Sequence, residues 1–401
     1  MNTSSTSPRL PVALIVWAAL SIALNIGIAR FTYGVMLPSL RRDLGLDYFL
    51  GGALNAIHLL GYLIGTLVAP KIARRIGMIK CSGVSHALVA LGAVVCAITP
   101  ETPLAGPLVL GVGRLMTGLG AGGGIMAAIV LSFAATSAQQ RPLVGGVVWA
   151  GMGFATIASG LAAPLLLASA AGWRSAFAIA AVLALLIAIF FPPRGPVTDA
   201  APPDPSAAAA FGPAQLITAR WLFLLASYFM FAFAYIAWST FAGTRLAATN
   251  APMLVVQLTW IMFGTTTIAG ALLTIPLLHS PTLRHHALSV SFILAVPGAL
   301  LSAFDVGVAG ALTGALLVGL GAGGTPTIVS SYARDRCSAE DYARAFSFAA
   351  AALGVGQLLG PVVAGRFADL FGTIAVPVLA ASAYAAGALL AMIDGRVARQ
   401  A

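Results

Sequence analysis

Long apolar stretches, separated by short polar or basic segments, run along nearly the whole chain. Most contain the roughly 20 residues that an α-helix needs to cross the hydrocarbon core of a membrane. Because they lack the alternation of apolar and polar positions that is typical of membrane β-strands, they predict helices. The predicted spans are 12–38, 51–70, 81–99, 104–134, 143–170, 174–192, 219–242, 252–278, 286–304, 307–332, 343–365 and 373–393.

The predicted spans form two groups of six with a break between them. The break, residues 193–217, is rich in Pro and Ala and poor in bulky apolar residues. Such a composition is typical of an irregular linker. We therefore expect an N-terminal six-helix bundle over 1–192, a cytoplasmic linker over 193–217 and a C-terminal six-helix bundle over 218–401.

The two halves share a motif. The sequence GLGAGG begins at Gly118 and again at Gly319, 201 residues later, in the fourth span of each half. Two repeated halves are typical of secondary transporters, whose substrates bind near the membrane midplane. The predicted fold is therefore an all-α membrane protein with twelve transmembrane helices in two pseudo-symmetric six-helix bundles.

Composition and charge limit the classes of protein to which the chain can belong. Hydrophobic residues make up 60% of the chain and charged residues 8%, with a mean hydropathy of +0.98. These values exclude a soluble enzyme, a nucleic-acid-binding protein and a single-span receptor with a large polar domain. Of the 21 Lys and Arg residues, fourteen fall on the side that holds both termini and five in the opposite loops. This bias predicts cytoplasmic termini, and the first apolar stretch is interpreted as a retained span.

Three motifs resemble the major facilitator superfamily. They are Arg114-x-x-x-Gly118-x-Gly120-x-Gly122 in the fourth span, the basic loop 65–80, and Gly172-Trp173-Arg174 before the sixth span. Segments 27–40 and 356–369 look like the YbfB/YjiJ group of bacterial transporters. The basic loop departs from the superfamily's pattern, because Ala69-Pro70 stands where an acidic residue is usual.

The resemblance implies transport by alternating access and a monomeric protein. It also implies that Arg114 lies against the first span, where it is linked to helix packing and proton coupling. Gly118 and Gly122 are expected to let two helices approach closely, since small residues favour such contacts in membranes.

Arg30, in the first span, is the leading candidate for substrate binding. An arginine inside the bilayer costs at least ~2.5 kcal/mol, so its side chain should face protein, water or a ligand. Its planar guanidinium suits a carboxylate or a phosphate. A structural arginine paired with helix-end carbonyls is the alternative. Tyr33 is predicted to lie close to the same helix face.

Further candidates lie in both halves. Asn55, His58 and Tyr62 share one face of the second span, where His58 could contact substrate, carry a proton or only form hydrogen bonds. In the second half, an aromatic stripe and one amide could line a cavity or serve packing. The predicted contacts there are Tyr228, Tyr235, Trp238 and Gln357.

The acidic residues point to the sign of the substrate's charge. On the predicted spans, all eleven lie in loops or at helix ends, so that no carboxylate is expected inside the membrane. Two membrane arginines without membrane acids predict a positive cavity, which favours an anionic substrate. The spans hold neither a catalytic constellation nor methionine and histidine pairs for a soft metal, so neither an enzyme nor a metal or cofactor site is predicted.

The leading hypothesis is a secondary active transporter in a bacterial cytoplasmic membrane. It would move a small organic anion, such as a carboxylate, with protons as the coupling ion. Its partners would be this small molecule and the lipid bilayer, without nucleic acid. Two alternatives stay open, namely a multidrug-type exporter of neutral or lipophilic compounds and a transporter-like sensor that moves nothing.

Overall fold

The computed structural model describes residues 11–137, 140–189, 218–280, 283–304, 307–337 and 342–400. These residues form twelve helices, numbered here in chain order. They are α1 (Val12–Leu44), α2 (Tyr48–Ile76), α3 (Met78–Ala97), α4 (Ala105–Ala134), α5 (Arg141–Ala168), α6 (Arg174–Ile189), α7 (Ala219–Ala248), α8 (Met253–His279), α9 (Ala287–Ala303), α10 (Gly307–Asp335), α11 (Tyr342–Phe371) and α12 (Ala375–Gln400).

Each predicted span corresponds to one helix. Within the described residues, eleven helices are long and apolar enough to cross a membrane, and α6 is a shorter apolar helix of 16 residues. The predicted fold class is confirmed. The predicted linker, residues 193–217, lies outside the described residues, so the proposed boundaries of the two bundles stay a prediction.

Five helices extend six or seven residues beyond their predicted ends, namely α1, α2, α7, α11 and α12. Helix α1 continues past Pro38 and ends only at Gly45, whose φ of +63° stops the helix. Proline is tolerated in membrane helices, which is why Pro38 does not end this one. Helix α2 includes the basic cluster Lys71–Arg75, which was predicted to be a loop. Lys and Arg are good helix formers, and their charges are favourable at a helix C-terminus.

The middle of α1 is wound more widely than an α-helix. Residues Ala23–Phe31 form a π-helix that contains Arg30. Gly27, within it, packs so closely on Ala155 of α5 that a Cβ atom at Gly27 would overlap the Ala155 side chain. Wide turns of this kind occur often at functional sites.

The helices pack in the same arrangement within each half. In the first half, α2 and α3 pack on α4, and in the second half α8 and α9 pack on α10. Gly118 and Gly122 of α4 face the backbone of α2, where an added Cβ would overlap His58 and Tyr62. Gly323 of α10 meets Thr267 of α8 in the same way. The repeated motif therefore forms equivalent close helix contacts in both halves.

The most extensive contacts between the halves are those of α1 with α7, α2 with α11 and α5 with α8. Contacts of α2 with α11 are tight on the side where α1 ends and α2 begins, which is the predicted outer side. There Gly52 abuts Pro361, and Gly365 abuts the backbone of Tyr48.

Towards the inner side, the contact between the same two helices becomes looser. Leu63 of α2 touches the Gly354 position of α11 near the middle of both helices. One turn further inward on each of these faces, Leu67 and Ala350 are exposed. The halves are therefore in tight contact on the predicted outer side, and the positions one turn inward of Leu63 and Gly354 are exposed.

Candidate functional site

Arg30 lies at the junction of the two halves. It is 8% exposed, and its Nη2 donates a hydrogen bond of 2.7 Å to the hydroxyl of Tyr235 in α7. Its Nε is buried and has no hydrogen-bond partner. The same Tyr235 hydroxyl accepts a second hydrogen bond, of 3.1 Å, from Nε2 of Gln357 in α11. Three helices thus converge on one phenol oxygen.

Aromatic rings extend this cluster along α7. The rings of Tyr228, Phe231 and Tyr235 are stacked, with centroids 6.0 and 5.0 Å apart and interplanar angles of 7° and 15°. Tyr62 of α2 lies within electrostatic range of both Tyr228 and Tyr235. The structure therefore brings Arg30, Tyr62, Tyr228, Tyr235 and Gln357 together. We refer to these five residues as the central cluster.

Arg114 is the second membrane arginine, and its surroundings differ. Its side chain is fully buried, and its Nη1 donates to the Ala29 carbonyl of α1 at 2.6 Å. Its Nη2 donates to Oδ1 of Asn55 at 2.7 Å, and its Nε to the Leu54 carbonyl at 3.5 Å. The guanidinium also lies 4.4 Å from the ring centre of Tyr33. Arg114 therefore ties α1, α2 and α4 together.

Tyr33, Asn55 and His58 form hydrogen bonds with other protein groups, and His58 also lies within electrostatic range of Arg30. The Tyr33 hydroxyl donates to the Gly51 carbonyl at 2.7 Å, and Nδ1 of His58 lies 3.1 Å from Oγ1 of Thr117. On one side, Oδ1 of Asn55 accepts the hydrogen bond from Arg114. On the other side its Nδ2 donates to Oγ1 of Thr240 in α7 at 2.7 Å, so that it bridges the two halves.

Trp238 lies away from Arg30. Its Nε1 donates to Oγ of Ser302 in α9 at 3.0 Å, and its ring centre is 5.3 Å from that of Phe263. The helical stripe that links Tyr235 and Trp238 in sequence therefore faces two different environments.

One acidic residue is more buried than the sequence predicted. Asp394 of α12 is 1% exposed and forms two hydrogen bonds, of 2.8 and 2.5 Å, with the guanidinium of Arg336, the residue that follows α10. The expectation that all acids lie in loops or at helix ends missed this pair, because α12 extends past the predicted end of its span. Since Arg336 neutralises Asp394, the pair does not reduce the positive charge at Arg30.

A second acid, Asp369 near the end of α11, was not predicted to have a role. Its carboxylate accepts hydrogen bonds from the backbone N–H groups of Tyr48 and Phe49 in α2, at 2.8 and 2.9 Å. It therefore joins the halves on the predicted outer side. Its position near a helix end was visible in the sequence, but its partner in the other half was not.

Comparisons with known proteins agree with this architecture. A bacterial homologue of the human lysosomal transporter Spinster, in an inward-facing and unoccupied conformation, superimposes with a TM-score of 0.75 at 16% identity, covering 97% of this chain and 98% of that one. The nucleoside transporter NupG gives a TM-score of 0.72 at 16% identity, covering 96% and 99%. At such identities the likeness shows the fold alone.

Sequence relatives identify the family. The uncharacterized transporter YycB of Bacillus subtilis (strain 168) is 25% identical over 175 residues, which are 43% of this chain and 42% of YycB. The matched region thus spans about two fifths of that relative. The family described as "Uncharacterised MFS-type transporter YbfB" matches residues 22–393. The chain therefore belongs to the YbfB family of major facilitator superfamily transporters, as the sequence motifs predicted.

Proposed function

We propose that this multi-pass transporter moves a small organic anion with a carboxylate-like group, and that Arg30 binds that group. One observation carries the proposal. The guanidinium of Arg30 is buried between the halves, its Nε has no partner, and no carboxylate of the described residues forms an ion pair with it. A buried charge is costly unless it is paired, so an anion from outside the protein would complete the site.

The contrast with Arg114 supports this assignment. Both arginines lie inside the membrane, but every nitrogen of Arg114 donates to an oxygen of α1 or α2. Arg114 thus matches the structural alternative that the sequence offered for Arg30. Arg30 keeps donors available, and a guanidinium can hold a carboxylate through two parallel hydrogen bonds.

Tyr235 would provide a further donor to the anion. A tyrosine hydroxyl can accept two hydrogen bonds and donate one. Arg30 and Gln357 both donate to the Tyr235 oxygen, which leaves the phenol hydrogen for another acceptor. A carboxylate beside Arg30 is such an acceptor, and the stacked rings of Tyr228 and Phe231 would cover an apolar part of the substrate.

Proton coupling and membrane orientation complete the proposal. Because the described part of the central cluster lacks an acid, the coupling proton would travel on the substrate or on His58. The transporter would work as a monomer in a bacterial inner membrane with both termini in the cytoplasm, in agreement with the bias of Lys and Arg. The structure would then represent an inward-open state.

A thermal-shift screen tests the substrate class. Purified protein would be heated with panels of short organic anions, neutral compounds and lipophilic cations at two pH values. A ligand that binds only the folded state raises the unfolding temperature. We expect one class of anions to do so, and the increase to disappear in Arg30→Gln. Arg75→Gln removes an equal charge at an exposed site and should keep the increase.

The second candidate function is export of neutral or lipophilic compounds, which the stacked aromatic wall on α7 favours. It predicts stabilisation by neutral compounds or cations alone, with no effect of Arg30→Gln on the size of the shift. That result would replace the anion proposal.

A further inference from the structure

A cavity lies inside the C-terminal half, at its predicted outer end. It has a volume of about 190 Å³ and is enclosed by the outer parts of α7, α8, α9, α10 and α12. Its walls are mainly apolar and aromatic, with Trp238, Phe241, Val255 and Leu301 among them. Arg245 is the charged residue in its lining.

Arg245 has the same unusual feature as Arg30. Its Nη2 donates to the Ala303 carbonyl at 2.6 Å and its Nη1 weakly to Oγ1 of Thr373 at 3.4 Å, but its buried Nε has no partner. No ion pair of Arg245 occurs among the described residues. Asp305, the acid nearest to the lining in sequence, lies outside them. The cavity thus combines apolar walls with one cation, Arg245, whose Nε–H group has no hydrogen-bond partner.

The hydroxyl groups of Ser302 and Thr259 in the lining are not available as hydrogen-bond donors to an anion. Ser302 donates to the Gly298 carbonyl, and Thr259 donates to the Val255 carbonyl, each within its own helix. Their hydrogens are therefore used, and Arg245 is the cationic donor available to an anion, beside the neutral amide of Asn250. A ligand that fits needs one anionic group and an apolar remainder.

The cavity is separate from the central cluster. Arg245 follows Tyr235 by ten residues on α7, which corresponds to about 15 Å along the helix. Trp238 lies between them and packs on Phe263, whose ring centre is 5.9 Å from that of Phe31, the neighbour of Arg30. This aromatic layer divides the two arginine sites.

We propose that the cavity is a second anion-binding site, which takes a carboxylate with a short, unbranched apolar tail. The carboxylate binds Arg245, and the tail lies against Trp238 and Phe241. The site lies on the predicted outer side of the closed contacts between the halves, where it can hold an anion while the central cluster is shut off from that side. Binding of an anion at Arg245 does not depend on the proposed function. A role of this site in delivering the anion to Arg30 for transport would rest on the proposed function.

Contact quenching of tryptophan fluorescence tests the proposal, because Trp238 forms part of the cavity wall. Bromohexanoate would be titrated into the purified full-length protein, since bromine quenches an indole only at contact. We expect a saturable quench that is absent in Trp238→Phe and that unbrominated hexanoate reverses. Bromohexylammonium, which has the same tail and the opposite charge, should not give it.

Four variants assign the quench to this cavity. Arg245→Gln should lose the saturable quench, whereas Arg366→Gln, which removes an exposed charge on the same side, should keep it. Ala311→Phe fills the cavity without touching Arg245 and should also lose the quench, which guards against misfolding of the arginine variant. Arg30→Gln should leave the quench intact, whatever becomes of the central site.

Two results would overturn the proposal. One is the absence of a saturable quench in the wild type, or a quench that stays unchanged in both Arg245→Gln and Ala311→Phe. The other is loss of the quench in Arg30→Gln, which would assign the signal to the central cluster. Failure of the anion proposal for Arg30 would appear separately, as anion-induced stabilisation that survives Arg30→Gln.

Discussion

The carboxylate of Asp369, in the C-terminal half, accepts hydrogen bonds from the backbone N–H groups of Tyr48 and Phe49, the first two residues of α2 in the N-terminal half. The first N–H groups of a helix have no partner within it, and an anion at this end also interacts favourably with the helix dipole. Asp47 satisfies the next N–H, that of Leu50, from within the same half. The start of α2 is thus capped from both halves, and only one of the two caps must break for the outer side to open.

Replacing Asp369 should shift the protein towards an outward-open state. A lost cap of this kind is worth about 1 kcal/mol, or roughly a fivefold change in the equilibrium between the two states. Spin labels at the exposed positions Arg42 and Arg366 would report the distance between the outer ends of α1 and α11. In Asp369→Ala, the population with the longer distance should grow.

Asp47→Ala is the matched control. It removes a cap from the same helix end without breaking a contact between the halves. It should lower thermal stability and leave the distance distribution unchanged. If the two variants have the same effect on the distances, Asp369 does not hold the outer side closed.

The two membrane arginines should differ in their effect on stability. Arg114→Gln leaves the Ala29 carbonyl and Oδ1 of Asn55 without their donor, at about 1–3 kcal/mol for each buried group. Arg30→Gln removes a buried charge that lacks an ion-pair partner, so the ligand-free protein should lose much less. Unfolding temperatures in detergent compare them. Equal losses for both variants would contradict the difference between the two sites.

The close helix contacts predict which glycines tolerate alanine. An added Cβ at Gly118 would overlap the His58 carbonyl, and one at Gly323 would overlap the Thr267 carbonyl. Backbone cannot move aside easily, so both alanine variants should be clearly destabilised. Gly83→Ala, in α3, meets no atom within 4 Å and should be neutral or stabilising by up to about 1 kcal/mol. If Gly118→Ala and Gly323→Ala unfold at the same temperature as the wild type, the helices are further apart than these contacts require.

The buried ion pair of the C-terminal half gives a further prediction. Asp394→Asn removes the carboxylate that forms an ion pair with the buried side chain of Arg336, which should lower the free energy of unfolding by about 3–5 kcal/mol. The double variant Arg336→Met with Asp394→Leu should recover most of this loss. Titration with a denaturing detergent would measure both.

An exposed pair serves as the control. Glu101 is 60% exposed in its ion pair with Arg174, so Glu101→Gln should change stability by no more than about 1 kcal/mol. A loss in Asp394→Asn as small as that in Glu101→Gln would mean that the Arg336–Asp394 pair is accessible to water.

The helices could be predicted from the sequence because long apolar stretches leave few alternatives in a membrane. Their ends could not, since Pro38 and the basic cluster after Pro70 suggest breaks that the helices tolerate. The buried position of Asp394 escaped prediction for the same reason.

The central cluster could be predicted only as separate residues. Arg30 and Tyr235 are 205 positions apart, and their contact depends on how two bundles pack, which no local pattern records. From the sequence, a role for Arg114 in helix packing followed only from the family resemblance, and a structural role stayed open for Arg30. Both are membrane arginines near glycines, and only the neighbouring carbonyl groups show that one is satisfied by protein and the other is not.

Uptake into liposomes tests the central claim, that Arg30 binds a transported anion, most directly. Purified protein would be reconstituted, and uptake of the organic anion that gives the largest thermal shift would be followed with an inward proton gradient. We expect saturable uptake by the wild type and by Arg75→Gln, and uptake at the level of empty liposomes for Arg30→Gln. Uptake by Arg30→Gln at the wild-type rate would contradict the claim.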